Sequence, residues 1–398
     1  MRFYIRTFGC TANTGDSKRI EALLEARGGV RVDQWVNADT VVVNTCTVTK
    51  RTELNVIRFI KKMQDANKTL ILAGCMTAVW PDILGKKEDF LQIITPRSID
   101  TLPQPAGIDG VIGVVNIAQG CLGTCTYCIV KRARGDLVSA KIDDITATVR
   151  RFVDLGMREL RITSQDCSAY GSDDGEINLS DILNAVSSIE GDFKVRVGMM
   201  NPATLLPVLD DVTLAFKADK IFKFVHIPVQ SGSDRVLAMM RRGYTARAFE
   251  LIVDKFRSAF DEMTLSTDFI VGTPYEREED FERSVELLKR NKPEKVNITR
   301  FSPMPGTPAA AMADIPGRVK KDRSRRLTKE YRDLMKGQDT FVGKVFDVIA
   351  TQRGIKGGVI TRDDAYRYIL VRDGLEPGED ARVRVTESRG VYLLGEVV

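Results

Sequence analysis

Three short strand-like runs, each ending on a cysteine, constrain this chain most. Arg2–Phe8, Thr40–Asn44 (T-V-V-V-N) and Thr69–Ala73 (T-L-I-L-A) lead into Gly9-Cys10, Thr45-Cys46 and Gly74-Cys75. Helical patterns at Asp16–Ala26 and Val48–Asp65 separate them. Short buried strands alternating with helices predict a parallel sheet with helices on its faces, a Rossmann-like α/β layer. Ligands bind such sheets along the edge formed by the carboxyl ends of the strands. Cys10, Cys46 and Cys75 are therefore expected to converge there as a three-thiolate site. The competing reading is three small residues buried in turns, since single buried cysteines are common.

A second cysteine set is local. Cys121, Cys125 and Cys128 stand as C-L-G-T-C-T-Y-C after the apolar run Val114–Ala118. Three thiols at this spacing can hold three irons of a [4Fe–4S] cube, leaving the fourth open to a small molecule. Such an open corner suits radical chemistry. A zinc knot is the alternative, but structural zinc takes four ligands. No fourth ligand is nearby, and the single histidine, His226, is remote.

From Val111 to Thr307, six strand candidates alternate with helical patterns: Val114–Ala118, Glu159–Thr163, Lys194–Met199, Phe222–Ile227, Leu265–Val271 and Lys295–Phe301. Six βα units make a partial (β/α)6 barrel, whose function collects at the carboxyl ends of its strands. The Pro- and Gly-rich run Pro96–Gly110 reads as a linker. Gly317–Lys336 carries nine basic and three acidic residues, an excess larger than the +5 of the whole chain. It is either a solvated face or a phosphate-binding stripe. Beyond it, five short alternating strands with Gly-rich turns predict a small closed β-barrel of the oligonucleotide-binding kind. From Asp339 to Val398 that segment has nine basic and ten acidic residues, so any grip on nucleic acid needs the preceding helix. The expected domains are 1–106, 107–316, a connecting helix 317–336, and 337–398.

No run of 18 apolar residues is present, so no membrane span is expected. The polar start Met1-Arg-Phe-Tyr-Ile-Arg does not read as a signal peptide. A cytoplasmic chain is expected. There, seven cysteines point to metal binding or catalysis before disulfides.

The chain resembles the radical S-adenosylmethionine (SAM) methylthiotransferases over its whole length. The strings G-C-T-A-N, N-T-C-T-V and A-G-C-M match the amino-terminal domain of that family. In the barrel the matches are Q-G-C-L-G-T-C-T-Y-C-I-V, S-Q-D-C-S-A-Y-G, M-N-P, H-I-P-V-Q-S-G-S, T-D-F-I-V-G-T-P-Y-E and F-S-P-M-P-G-T-P. The last domain resembles a TRAM barrel. After C-I-V, many relatives carry proline where this chain has Lys131.

The resemblance implies two [4Fe–4S] clusters. One, on Cys121, Cys125 and Cys128, would bind SAM and generate a 5′-deoxyadenosyl radical. The other, on Cys10, Cys46 and Cys75, would supply sulfur, and a second SAM the methyl group. Other residues at the barrel mouth are candidates for cofactor binding. Tyr127 either stacks near the SAM adenine or packs the cysteine loop. Gln165 and Asp166 end the second strand, where Asp166 binds a ligand or caps a helix. Arg196 alternates with Val195 and Val197 and so faces one side of its strand, and a charged group there or at Asn201 would meet the SAM carboxylate. His226 is a ribose contact or a structural histidine. Gln230 and Ser231 follow it. Asp268, Gly272, Pro274 and Glu276 form a sharp turn whose backbone would cradle adenine. Cys167 is left over and reads as a packed spare thiol, with a substrate contact as the alternative.

Within the family some members act on modified adenosines at position 37 of tRNA and others on an aspartate of a ribosomal protein. The basic helix beside an oligonucleotide-binding barrel favours RNA, with Lys320, Lys321, Arg323, Arg325, Arg326 and Lys329 as phosphate contacts. M-M-N-P and S-Q-D-C-S-A-Y-G most resemble the archaeal and eukaryotic branch. That branch implies N6-threonylcarbamoyladenosine at position 37 of tRNA reading codons that begin with A. The base would be splayed from the anticodon stem-loop into the barrel mouth. Isopentenyladenosine is the alternative base. Ferredoxin or flavodoxin is the expected electron donor. An RNA-binding protein with merely structural clusters is a further alternative, but electron-carrying clusters normally have four protein ligands.

Overall fold

The computed structural model describes residues 1–99, 110–336 and 338–398. Most of the expected linker, and the boundaries at 106/107 and 336/337, lie outside the described residues. Pro96–Ile99, its first part, is a single helical turn.

The amino-terminal region is a five-stranded parallel sheet in the order Val30–Arg31, Arg2–Thr7, Thr40–Thr45, Thr69–Gly74, Gln92–Ile94. Val41, Val42 and Val43 are fully buried, with apolar residues packed on both faces. That burial explains why the central strand reads as an uninterrupted β-branched run. The first helix covers Thr11–Ala26, five residues earlier than the sequence pattern suggests, with Cys10 as its N-cap.

Six parallel strands follow. Ile112–Asn116, Glu159–Thr163 and Lys194–Val197 form one sheet; Phe224–His226, Thr264–Val271 and Lys295–Arg300 form another. Parallel bridges at Val195–Ile221 and Met199–His226 join the two into one open arc. This is the partial (β/α)6 barrel. Ala118–Gln119 breaks off its strand to pair with Val138–Ser139, so the first strand ends before the cysteine loop. Helix Gly317–Met335 packs on the last strand, and the carboxyl-terminal five strands close a barrel. Arg158 Nη2 donates to both oxygens of Asp380, Lys194 pairs with Asp364, and Tyr366 buries its ring on Phe222 and Phe224. These contacts seat the small barrel against the amino ends of the large barrel's strands. Among the described residues, no helix is long and apolar enough to cross a membrane.

Candidate active site

Cys10, Cys46 and Cys75 come together at the carboxyl ends of their strands, around the side chain of Asn13. The Sγ atoms of Cys10 and Cys75 lie 3.8 and 4.0 Å from Asn13 Oδ1. A Cβ on Gly9 would fall 2.9 Å from Cys46 Sγ, so only glycine leaves that thiol its space. Asn13 is itself fixed, its Nδ2 donating to the carbonyls of Phe8 (2.8 Å) and Thr45 (2.9 Å). Burial pushes the Cys46 thiol up to about 12 and also raises Cys75. A thiolate there needs a metal or a cation to hold its charge.

The second triad is built on a loop held at many points. Backbone N–H groups of Gly123 and Val130 point at Cys121 Sγ (3.3 Å) and Cys128 Sγ (3.4 Å). A Cβ on Gly123 would sit 3.4 Å from Cys121 Sγ and 3.6 Å from Cys125 Sγ, inside the volume the thiols surround. Gln165 Oε1 accepts from Gly120 N at 2.7 Å and fixes the start of the loop. Burial raises Cys128 to about 12. Among the described residues, no three His, Cys, Asp or Glu side chains converge on a single-ion site. A cube asks for something different, one thiol per iron around a shared volume; Cys10 and Cys75 gather about Asn13 with Cys46 against Gly9, and Cys121 and Cys125 gather about Gly123.

Arg242 was not legible in the sequence. Its guanidinium donates to Cys125 Sγ (3.3 Å), Asn201 Oδ1 (3.3 Å) and the Tyr244 hydroxyl (3.1 Å). The turn before it is bonded to the loop through Thr126, whose N–H and hydroxyl donate to the carbonyls of Met240 and Met239. Asn201 also caps the helix Pro202–Leu205. Tyr127 packs with Val236, Met240 and Tyr275 beside Arg242. The string M-R-R-G-Y was the available signal, though nothing local distinguishes it from a helix end.

Asp166 is 5% exposed and accepts from Asn201 N, Ser168 Oγ and Thr204 Oγ1. Its oxygens tie two strand-end loops together. His226 Nε2 lies 3.0 Å from Asp268 Oδ2, and Asn297 donates to the other oxygen at 2.6 Å. Burial would raise Asp268, but the histidine and asparagine hydrogen bonds outweigh it and lower its pKa. Gln230 adopts φ +70° and its buried Oε1 has no partner among the described residues.

Several expectations are corrected. Ser231 is fully buried against Ser284 and faces no cofactor space. Gly272 donates its N–H to Glu276, and Lys320 packs where a Cβ would be, so this turn is covered rather than open to adenine. Arg196 turns away from the cysteine loop toward Phe224 and Tyr366. Lys320 and Arg323 are each 7% exposed: Lys320 bonds Phe301 and Asp314, and Arg323 pairs with Glu276 and Glu278. Arg326 is held by Glu282. Those three dock the helix on the barrel. Lys321, Arg325 and Lys329 stay exposed, and Arg325 and Lys329 share a groove with Arg332 and Lys336. Cys167 is fully buried in the barrel core.

The two triads meet across one interface. Ile129, next to Cys128, packs in the same apolar cluster as Cys75. Arg134, one helical turn further, donates to Asn13 Oδ1 (2.8 Å) and Asp16 Oδ2 (2.6 Å). Burial opposes its charge, but Asp16, together with the sulfurs of Cys75 and Cys10 when ionised, outweighs burial and raises its pKa.

Comparison with known proteins agrees with this geometry. Residues 115–288 match the Radical SAM superfamily, 2–95 the Uncharacterized protein family UPF0004, and 339–398 the TRAM domain. A probable threonylcarbamoyladenosine tRNA methylthiotransferase of Archaeoglobus fulgidus is 37% identical over 100% of this chain and 99% of its own length. The human threonylcarbamoyladenosine tRNA methylthiotransferase is 31% identical over 100% of this chain and 74% of its own. A tRNA-2-methylthio-N(6)-dimethylallyladenosine synthase of Aquifex aeolicus is 33% identical, covering 100% and 98%. Among solved structures, the radical SAM methyltransferase TsrM of Kitasatospora setae aligns with TM-score 0.57 at 13% identity, over 78% of this chain and 74% of its own, a likeness of fold. Barrel, loop and matches together define a radical SAM protein, which uses SAM and a [4Fe–4S] cluster. The chain belongs, within that class, to the tRNA methylthiotransferases.

Proposed function

We infer that this protein methylthiolates C2 of N6-threonylcarbamoyladenosine at position 37 of tRNA. The observation that carries the reading is the pair of three-thiol sites on two sides of one small interface, joined by Arg134. Cys121, Cys125 and Cys128 would hold the cluster that binds SAM; Cys10, Cys46 and Cys75 would hold a second. When bound, SAM and the clusters supply hydrogen abstraction, the sulfur atom and the methyl group.

The chain's own residues position and enclose these groups. Gln165 fixes the start of the cysteine loop and Arg242 its middle, at Cys125. Asp166 and Asn201 lock the neighbouring loops to Arg242. Arg134 keeps a positive charge beside the second triad, where sulfur-bearing anions would collect. The exposed stripe Arg325, Lys329, Arg332 and Lys336 suits the tRNA backbone beside the TRAM barrel. The reaction would take place in the cytoplasm, with ferredoxin or flavodoxin as reductant.

The threonylcarbamoyl base is favoured because relatives carrying that name reach 37% identity over essentially their full length. The test is anaerobic turnover with tRNA carrying either threonylcarbamoyl- or isopentenyladenosine, read by nucleoside mass spectrometry. A methylthio product on the first alone supports the reading. Product on the second alone would replace the substrate, and 5′-deoxyadenosine with neither product would move it to protein.

A further inference from the structure

The barrel interior holds a group of cations that the cysteine loops do not use. Arg161 and Arg196 sit mid-strand, Lys295 opens the last strand, and Arg362 and Tyr366 reach in from the carboxyl-terminal barrel. They line a cavity of about 450 Å³ whose upper wall includes His226. Arg161 is neutralised by Glu159 at 2.6 Å, and the Tyr366 hydroxyl bonds the same carboxylate. Arg196, Lys295 and Arg362 have no carboxylate within ion-pair distance among the described residues. The Nε atoms of Arg196 and Arg362 are buried without a hydrogen-bond partner.

Aromatic faces are the main partners of these cations, beside one hydrogen bond from Arg362 Nη1 to the Tyr366 carbonyl (3.4 Å). The Arg196 guanidinium lies 4.8 Å from the Phe224 ring centre, Lys295 Nζ 5.2 Å from Phe224 and 5.4 Å from Tyr366, and Arg362 4.3 Å from Tyr366. Cation–π contact offsets only part of the cost of desolvation. Burial, with Arg362 and Arg196 nearby, pulls Lys295 down to about 7. Docking of the small barrel does not require this cost, since Arg158–Asp380, Lys194–Asp364 and Glu159–Tyr366 already hold it. A cavity lined by two guanidinium cations without a carboxylate, and by a lysine that a bound anion would hold protonated, is arranged for an anion.

We propose that Arg196, Lys295 and Arg362 bind the free carboxylate that the threonyl group places on the substrate base. This rests on the substrate inferred above. The cavity lies in the barrel interior below the mouth, between His226 and the docked small barrel, where the substituent of a base splayed into the mouth would reach. A backbone phosphate has chain on both sides and suits the exposed stripe of the basic helix instead. Arg196 is five residues before Asn201, whose side chain accepts from Arg242, so one strand and turn connect the cavity to the cysteine loop. An isopentenyl group has no charge and would leave Arg196, Lys295 and Arg362 without an anion, which gives the cavity a means of discrimination.

The experiment measures binding of anticodon stem-loops with threonylcarbamoyladenosine or plain adenosine at position 37. Fluorescence anisotropy is read for the cluster-loaded protein and for R196Q, K295M and R362Q, with thermal melts to confirm folding. R362Q lies in the small barrel, so it tests the cavity independently of the large barrel's own strands. The unsubstituted protein should prefer the modified loop by about tenfold, and each variant should lose most of that ratio. A preserved ratio in folded variants overturns the proposal. An equal loss for both loops overturns it too, and assigns the cavity to a backbone phosphate. Nucleoside mass spectrometry of the unsubstituted protein separates the two levels. Methylthiolated threonylcarbamoyladenosine beside an unchanged ratio overturns the carboxylate site alone, while no such product overturns the substrate and this ligand together.

Discussion

Arg134 and Asp16 form a buried ion pair at 2.6 Å, their side chains 3% and 0% exposed. One belongs to the helix after the C-x-x-x-C-x-x-C loop and the other to the first helix of the amino-terminal sheet. This pair couples the two three-thiol sites. Removing one partner strands a buried charge, so R134M should destabilise the fold by roughly 3–5 kcal/mol. Adding D16N should recover part of the loss. Chemical denaturation of both single variants and the double variant checks this, and simple additivity of the two losses would contradict it.

Arg242 contacts Cys125 directly and holds Asn201. R242K keeps the charge but loses the fork geometry. It should fold, yet form 5′-deoxyadenosine at least tenfold more slowly, with a changed electron paramagnetic resonance signal for the reduced cluster. A variant with an unaltered signal and rate would show that Arg242 only packs.

The basic helix presents two faces with opposite predictions. R325E and K329E, on the exposed face, should weaken tRNA binding and lower the slope of log affinity against log salt by about one per charge removed. R323Q should instead lower the melting temperature, because Arg323 is 7% exposed and paired with Glu276. Salt titrations and melts read the two effects separately.

Lys295 gives a pH signature. Its pKa falls to about 7 on folding, through burial and then the charges of Arg362, Arg196 and Arg161, with Glu159 acting in the other direction. Between about 7 and the ordinary lysine value the unfolded chain binds the extra proton, so stability rises with pH across that window. Below about 7 the folded protein carries a buried charge at full cost. K295M should therefore raise the melting temperature by roughly 2–4 °C at pH 6 and change it little at pH 11. Melts at both pH values test the sign.

The central strands were legible because Val41–Val43 and Leu70–Leu72 are buried on both faces, which demands continuous apolar runs. The edge strands Val30–Arg31 and Gln92–Ile94 are two and three residues long and give no periodic signal. The two cysteine triads are legible in the sequence, one from its local spacing and the other from repeated placement after strands. Arg134 and Arg242 were not, because their roles arise from approaches between distant segments. Composition alone overstates the solvent-facing charge of the basic helix. Lys320, Arg323, Leu327 and Tyr331 repeat at helical spacing and form its buried stripe, so periodicity already separated two of the six cations from solvent.

The most direct test of two cooperating cysteine sites is one anaerobic turnover read twice, for 5′-deoxyadenosine and for methylthiolated nucleoside, on tRNA carrying threonylcarbamoyladenosine. The unsubstituted protein should yield both. The variant with Cys10, Cys46 and Cys75 all changed to alanine should still yield 5′-deoxyadenosine but no methylthio product. Methylthio nucleoside from that variant would contradict the account.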